Sequence, residues 1–292
     1  MRAAAVVLAG LLVVAAGCGG GDDTDVTADP ASGAAAPFPA DAVAIRASSD
    51  LGVGAERLLI GIGAADGSRL GSPDQAVSIE VYPQDAAGER QSVSGTWTWI
   101  VPDATGLYRA EVELDRPGVW AAEVVPAIGD RLDPVLFDVL AEPMAPVLGE
   151  QAPAPVTPTL DDLPMEELTT DPDPDPAFYG LSIDDAVANG RPTVVVFSTP
   201  AYCVSAACGP LLDHVKEVAP DHPDVDFIHI EVFTGLTDPD FVPDAAHLAP
   251  AVGPEWYNLP SEPWVFVIDE AGTVVARYEG VMDPAELDAA LT

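Results

Sequence analysis

Residues 192–218 read PTVVVFSTPAYCVSAACGPLLDHVKEV, and this stretch contains the main signals for the fold of the C-terminal part of the chain. Its first half is a continuous apolar run, which is typical of a β-strand covered on both faces. Its second half has four apolar residues at helical spacing, which predicts an amphipathic helix after residue 209; they are Leu211, Leu212, Val215 and Val218. Cys203 and Cys208 lie between the strand and the helix.

The spacing of these two cysteines restricts the backbone between them. Residues five apart on a regular helix are displaced by about 7.5 Å along its axis, and a disulfide does not form between Cα atoms more than about 7 Å apart. If the helix proper begins at Pro210, the segment before it is a loop that can bring the sulfurs together. Cys208 then lies at the helix N-terminus, whose dipole favours a thiolate. If the helix begins near Ser205 instead, the two thiols stay apart.

The elements from residue 178 onward follow the order α, β, α, β, α, β, β, α. The first short helix has Ser182 as its N-cap, and the closing helix has Asp283 as its N-cap with Pro284 at its first position. The segments between them are a second buried strand at 225–233, helix and loop at 240–258, and a hairpin at 263–280.

This order, with a cysteine pair directly after the first strand, resembles the thioredoxin fold over Phe178–Thr292. Tyr202 occupies the aromatic position before the first cysteine, and residues 269–272 match the Asp-x-x-Gly turn of the family's last hairpin. Glu262 and Pro263 precede a strand at the point where the family has a cis-proline facing the cysteines.

The resemblance implies a role for each of three residues. Cys203 would be the exposed attacking thiolate and Cys208 the resolving thiol, while Pro263 would help to hold the substrate chain during exchange through a mixed disulfide. The expected activity is thiol–disulfide exchange.

Two features depart from the family pattern. The cysteines form a C-x4-C motif instead of C-x-x-C, and Phe197 stands where thioredoxins commonly keep a buried carboxylate that moves protons between thiols. No acidic residue occurs in 191–207. Proton transfer would therefore need water, or Asp213 or Glu262 from elsewhere in the fold.

Two other functions fit the same residues. The first is a non-catalytic binding protein in which the cysteine pair is a permanent structural disulfide. The second is copper delivery, because cytochrome-oxidase copper chaperones with this fold use two cysteines and a distal histidine, and soft thiolates with an imidazole suit copper. The copper ligands would be Cys203, Cys208 and His247. His229, inside a strand, is expected to be a packed core residue, and no cofactor other than copper is indicated.

Residues 41–140 are predicted to form a β-sandwich domain, because short β-branched and aromatic segments alternate with Gly, Pro or Asp. The stretch GLYRAEVELDRPGVWAAEV (106–124) is similar to immunoglobulin-like modules of bacterial envelope proteins. Three tryptophans are expected to belong to its core, although they could line a binding face; they are Trp97, Trp99 and Trp120.

The N-terminus resembles a bacterial lipoprotein signal. Residues 1–17 combine an arginine, an apolar run too short to span a bilayer, and small residues before Cys18. Lipidation of Cys18 would hold the protein on the extracytoplasmic face of the cell membrane, where disulfides persist. Residues 18–40 read as a flexible tether, and residues 141–177, rich in Pro, Asp and Glu, as a semi-rigid solvated spacer before the domain at 178–292.

The charge of the chain limits its partners. Asp and Glu number 48 against 11 Lys and Arg, for a net charge of −37, so the surface repels nucleic acid and anionic lipid head groups. Contact with the membrane is therefore expected only through the lipid anchor. The expected partners are envelope proteins that carry thiols or disulfides, and the expected architecture is a β-sandwich followed by an α/β thioredoxin-like domain.

Overall fold

The computed structural model describes residues 36–292. The signal at 1–17, the lipidation site Cys18 and most of the tether at 18–40 lie outside the described residues and stay predictions. Within residues 36–292, none of the helices combines the length and the hydropathy that a membrane crossing requires.

The N-terminal part is all-β, as predicted. Its eight strands pair antiparallel in one hydrogen-bonded sheet of order β1-β2-β6-β5-β4-β7-β8, with β3 beside β2. Their bounds are β1 Val43–Arg46, β2 Gly54–Gly63, β3 Arg69–Leu70, β4 Val77–Pro83, β5 Gln91–Val101, β6 Thr105–Leu114, β7 Gly118–Pro126 and β8 Val135–Val139.

Strand β5 joins the two halves of this sheet. Its residues 91–95 pair with β4, and its residues 96–101 pair with β6. Gly95 lies at the change of partner, where a Cβ would come within 2.5 Å of the Val77 side chain, so only glycine fits this approach. The sheet curls around one apolar core instead of dividing into two unconnected sheets. The immunoglobulin-like assignment therefore remains a prediction.

The predicted alternation along β6 is confirmed. Tyr108, Ala110, Val112 and Leu114 are buried in the core, and the charged residues between them face outward. Trp120 is also buried in this core, and Trp97 packs against it with its ring 5.1 Å from that of Tyr108. The core interpretation of these two tryptophans is thus confirmed.

The C-terminal part is α/β. Its four-stranded sheet has the order β10-β9-β11-β12, in which β10 is parallel to β9 and the other pairs are antiparallel. All six residues of the central strand β9 are buried, as its apolar run predicts. The elements are α1 Met165–Leu168, a 3₁₀ helix Pro176–Tyr179, α2 Ile183–Ala188, β9 Thr193–Ser198, α3 Cys208–Val218, β10 Asp226–Glu231, β11 Trp264–Ile268, β12 Val274–Glu279 and α4 Pro284–Ala290.

One predicted helix of this domain is nearly absent. The region 240–258 contains a single 3₁₀ turn, Pro250–Val252, and is otherwise loop. Prolines at 243, 250 and 254 explain the difference, since each removes a backbone donor and clashes with the preceding helical turn. The cap predicted for the closing helix is confirmed, because Asp283 and Glu286 form a capping box at the start of α4.

The segment 141–177 differs from the solvated spacer that its composition indicated. It packs on both parts of the chain, and Ala145, Ala152 and Leu168 are buried. The backbone N–H groups of Met144 and Ala145 donate to the Asp50 carboxylate at 2.7 and 3.1 Å. The X-Pro pattern predicts an extended backbone, but an extended chain can also lie along a protein surface, and this one does.

Charged pairs hold the β domain against the C-terminal domain. Arg57 of β2 and Arg109 of β6 both donate to Glu286 of α4, with the Arg57 Nη2 to Glu286 Oε2 distance at 2.9 Å. Arg277 of β12 is bonded to Asp50 at 3.1 Å and to Glu56 at 3.0 Å. These pairs are largely buried, so solvent screens them less than surface pairs.

The Glu286 cluster gives a test of this packing. Burial opposes ionisation of Glu286, but the charges of Arg57 and Arg109 outweigh it and hold its pKa below the usual 4.5. Glu286→Gln should lower the free energy of unfolding at pH 7 by about 2 kcal/mol, because a charged acceptor is lost from several hydrogen bonds. A depressed folded pKa contributes stability above the unfolded value and loses it in acid. The gap between wild type and variant should therefore shrink as the pH falls below 4.5, as measured by chemical denaturation.

Glu89→Gln is the matched control, because Glu89 forms an exposed pair with Arg116. It should change stability by less than about 0.5 kcal/mol at either pH. A Glu286→Gln effect that is independent of pH would contradict the ion-pair explanation.

Candidate thiol–disulfide site

The chain between the two cysteines is bent, and the cysteines are joined by a disulfide with a Cα–Cα distance of 5.9 Å. Helix α3 begins at Cys208, so residues 203–207 lie outside it, and Ala206 takes the left-handed conformation at φ 61°. The helix thus begins two residues before Pro210, the predicted start. Pro210 is its third residue, where the missing N–H would have had no helical partner in any case.

The two sulfurs have different surroundings. Cys208 is fully buried, Cys203 is partly exposed, and Val204 beside it is 95% exposed. The backbone N–H of Cys208 points at Cys203 Sγ at 3.2 Å, and Ser205 Oγ lies 3.3 Å from the same sulfur. The N-terminus of α3 is therefore placed to stabilise a thiolate on Cys203 when the disulfide is open. The predicted position of Cys208 at the start of the helix is confirmed, and which of the two thiols ionises stays a prediction.

Pro263 lies at the same end of the sheet as the cysteine loop. The Glu262–Pro263 peptide bond is cis, as the resemblance implied. Trp264, the next residue, begins β11 and pairs with Phe197 near the end of β9, from which the cysteine loop departs. The cysteine loop and Pro263 thus lie at the adjacent ends of two neighbouring strands, β9 and β11.

Glu262 is the acidic residue closest in the chain to Pro263. Burial raises its pKa above the usual 4.5, and within residues 36–292 no side chain forms an ion pair with it. Glu262 and Ser205 line the same cavity, which has a volume of 330 Å³. Asp213, the other candidate for proton transfer, is an exposed residue of α3 that pairs with Lys216 at 2.9 Å.

A second buried carboxylate was missed from the sequence. Glu231 ends β10, pairs in register with Ser198 of β9, and accepts hydrogen bonds from the Thr170 backbone N–H and hydroxyl at 2.9 and 2.7 Å. Burial raises its pKa. The sequence analysis named Asp213 and Glu262 but not this carboxylate, which lies on the strand adjacent to β9. The signal was present in VDFIHIEVF, an otherwise apolar strand with one glutamate.

His229 is a core residue, as predicted. It is 2% exposed, and the Tyr179 hydroxyl donates to its Nδ1 at 2.7 Å. Its Nε2 lies 3.2 Å from the Ser198 carbonyl oxygen, which can only accept, so Nε2 carries the proton of a neutral ring.

The proposed copper ligand His247 has a different partner. Its Nδ1 lies 3.0 Å from Asp244 Oδ1, and its ring packs 5.2 Å from that of Phe241. Phe241 in turn packs 5.1 Å from Tyr202, which connects this loop to the cysteine loop. Among residues 36–292, no three His, Cys, Asp or Glu side chains are grouped so that they could hold a metal ion.

Comparisons with known proteins bear on the C-terminal part of the chain. The family model described as "Thioredoxin-like domain" matches residues 179–292. The C-terminal part of the chain is therefore a thioredoxin-like domain. A solved structure titled as a thiol:disulfide interchange protein of the thioredoxin family, from Chlorobium tepidum TLS, shares 19% identity and covers 50% of this chain and 97% of its own, with a TM-score of 0.32. No curated protein matches the chain.

The buried His229 predicts how the domain responds to acid. Burial lowers the pKa of His229 from 6.5 to about 4. Between these two pH values the unfolded chain binds a proton at this residue and the folded chain does not. Between pH 6.5 and 4 the wild type should lose roughly 3 kcal/mol of stability through this residue. The variant His229→Gln lacks this titration and should show a flatter dependence over the same interval, as measured by denaturant unfolding.

The matched control is His247→Gln, which removes a partly exposed imidazole and should keep the wild-type slope. Equal acid slopes for wild type and His229→Gln would show that protonation of this histidine does not contribute to acid unfolding.

Proposed function

We propose that this chain is a lipid-anchored, extracytoplasmic protein that exchanges thiols and disulfides with envelope proteins through Cys203 and Cys208. The observation that carries the proposal is the asymmetry of the pair. A partly exposed sulfur that accepts a helix N–H is bonded to a fully buried one, at the same end of the sheet as the cis-proline Pro263. An exposed, stabilised thiolate suits attack, and a buried partner suits resolution.

The exchange has two steps, which together transfer two electrons from the cysteine pair to the substrate disulfide. The Cys203 thiolate attacks a substrate disulfide, so a mixed disulfide forms and one substrate thiolate leaves. The Cys208 thiol then loses its proton to solvent or to the half-buried Glu262 carboxylate, and its sulfur attacks Cys203. The mixed disulfide breaks and the second substrate thiolate leaves, so the substrate gains two electrons and the pair is oxidised. The same steps in reverse oxidise a substrate dithiol.

Two further assignments belong to this proposal. Acylation of Cys18 would tether the folded part to the membrane, as supported by the apolar run and the small residues before that cysteine. The all-β domain would be an immunoglobulin-like module, as supported by the alternating strand pattern of residues 106–124. Replacement of Cys18 by Ala should abolish incorporation of labelled fatty acid and release the protein from the membrane fraction. The control variant Cys203→Ala should still incorporate the label and stay in the membrane fraction.

The redox proposal is tested by the potential of the pair. The fraction of oxidised protein in a series of glutathione buffers should give a midpoint between about −270 and −120 mV, the span of working oxidoreductases. A midpoint well below about −300 mV would show a structural bond and favour the non-catalytic binding protein instead.

Single variants test the assigned roles. Reduced Cys208→Ser protein treated with oxidised glutathione should accumulate a mixed disulfide at Cys203 and release one glutathione thiolate, because Cys203 can still attack and no second cysteine resolves the product. Reduced Cys203→Ser protein should form little, because Cys208 is buried. Intact mass spectrometry detects both products. If Cys203→Ser accumulates the mixed disulfide and Cys208→Ser does not, Cys208 is the attacking thiol and Cys203 the resolving one.

A further inference from the structure

The 330 Å³ cavity beside the cysteine loop lies between the two domains. One wall comes from the outer face of the β domain, with Leu59 and Gly61 of β2 among its residues. The opposite wall includes Ala207 and Val281 of the C-terminal domain. Most of the lining is aliphatic, and Leu59, Ala207 and Val281 also belong to one buried cluster with Ile100 and Leu107.

The reactive sulfur lies next to this cavity. Ser205 lines it, and the Ser205 hydroxyl is 3.3 Å from Cys203 Sγ. On the other side of the cysteine loop, Ser261 and Glu262 lead directly into Pro263 and line the cavity too. A polypeptide that forms a mixed disulfide with Cys203 therefore places the residues next to its own cysteine at the mouth of the cavity.

The three charged residues that line the cavity differ in whether they have a partner. Glu279 is engaged by the backbone N–H of Ser49 and by the Ser261 hydroxyl, at 2.9 and 2.7 Å. Arg69 lines the cavity from an exposed position on β3. Glu262 is half-buried and forms no ion pair within the described part of the chain. It offers a carboxylate to a cation from outside, and the net charge of −37 attracts cationic segments in general.

We propose that this interdomain cavity receives an aliphatic side chain that adjoins the cysteine of a substrate polypeptide, while Glu262 faces a lysine or arginine of the same segment. The inference rests on the proposed function for the mixed disulfide that brings the substrate to the site. It assigns the β domain a role in selecting substrates.

A glycine in β2 leaves room for this side chain. The strand alternates, so that Leu58, Ile60 and Ile62 belong to the β-domain core while Leu59 faces the C-terminal domain. Gly61 is on the same face as Leu59 and lines the cavity. A Cβ at Gly61 would meet only the Ile45 carbonyl oxygen, at 3.8 Å. Gly61→Leu should therefore fill the cavity without a backbone clash.

The test uses symmetric disulfide dimers of short peptides and reduced full chain. The reference peptide is acetyl-Lys-Leu-Cys-Leu-Ala-amide, and its two counterparts replace both Leu by Ser or Lys by Glu. Each reaction yields two peptide thiols and one oxidised protein. The Leu peptide should react about tenfold faster than the Ser peptide, because burial of a leucine side chain is worth about one factor of ten or more. The Lys peptide should react faster than the Glu peptide, and Glu262→Gln should reduce that ratio.

The Gly61→Leu variant should bring the Leu-to-Ser rate ratio close to one. Gly88→Leu is the matched control, because Gly88 is exposed in a turn of the β domain with open space around its Cβ, and it should keep the wild-type ratio. If Gly61→Leu does not fold, Ile45→Glu provides a second variant, since Ile45 lines the cavity and is already 51% exposed. It should lower the ratio as well.

A binding measurement separates this inference from the proposed function. The Cys203→Ser, Cys208→Ser double variant cannot exchange, yet it should bind the fluorescent reduced Leu peptide more tightly than the Ser peptide by anisotropy. Preferential binding without exchange by the wild type would overturn the proposed function and keep the cavity assignment. Exchange with equal rates for all peptides would overturn the cavity assignment and keep the function. If the protein shows neither exchange nor preferential binding, both the proposed function and the cavity assignment are overturned.

Discussion

The disulfide between residues 203 and 208 requires the chain to leave the helical path for five residues, and the rest of the site follows from this bend. The left-handed Ala206 carries a cost of roughly 1–2 kcal/mol for a residue with a Cβ. Its neighbour Ala207 packs among Leu59 and Leu107 of the β domain, and such packing can hold the bend in place. The bend leaves Cys208 buried at the first position of α3 and turns its N–H toward Cys203.

The same packing makes the two domains interdependent. The cysteine loop touches the β domain through aliphatic contacts, and farther away the guanidinium groups of Arg57, Arg109 and Arg277 join the domains through carboxylates. The chain has only 11 Lys and Arg, so three of its few cations lie at this interface. They neutralise acidic groups that would otherwise repel one another across it.

Much of the fold was predictable because the signals are local. The apolar run at 193–197, the Asp283 cap and the proline before Trp264 all act on their own segment of backbone. The interdomain contacts were not predictable in this way. Arg57 and Glu286 are 229 residues apart, and in the sequence each reads as an ordinary surface charge. The contacts of the spacer at 141–177 were not predictable either. Its prolines predict an extended backbone, but they do not indicate the surface on which that backbone packs.

The sequence pointed to the cysteine pair and to the cis-proline Pro263 but not to the buried carboxylate of Glu231. Strand β10 lies parallel to β9 and places Glu231 opposite Ser198, a register that becomes visible only when the sheet is assembled. Helix α3 begins at Cys208, between the two starts that the sequence left open, near Ser205 and at Pro210; a proline at its third residue is tolerated because the first four N–H groups have no helical partner.

The cavity has one wall on each domain, so under the proposed function the thiol chemistry belongs to the C-terminal domain while the β domain contributes to the choice of substrate. Substitutions in β2, at Leu59 or Gly61, would then reshape the cavity without altering Cys203 or Cys208. On this proposal, substitutions confined to the β domain would change which polypeptides are accepted while the cysteine pair stays the same.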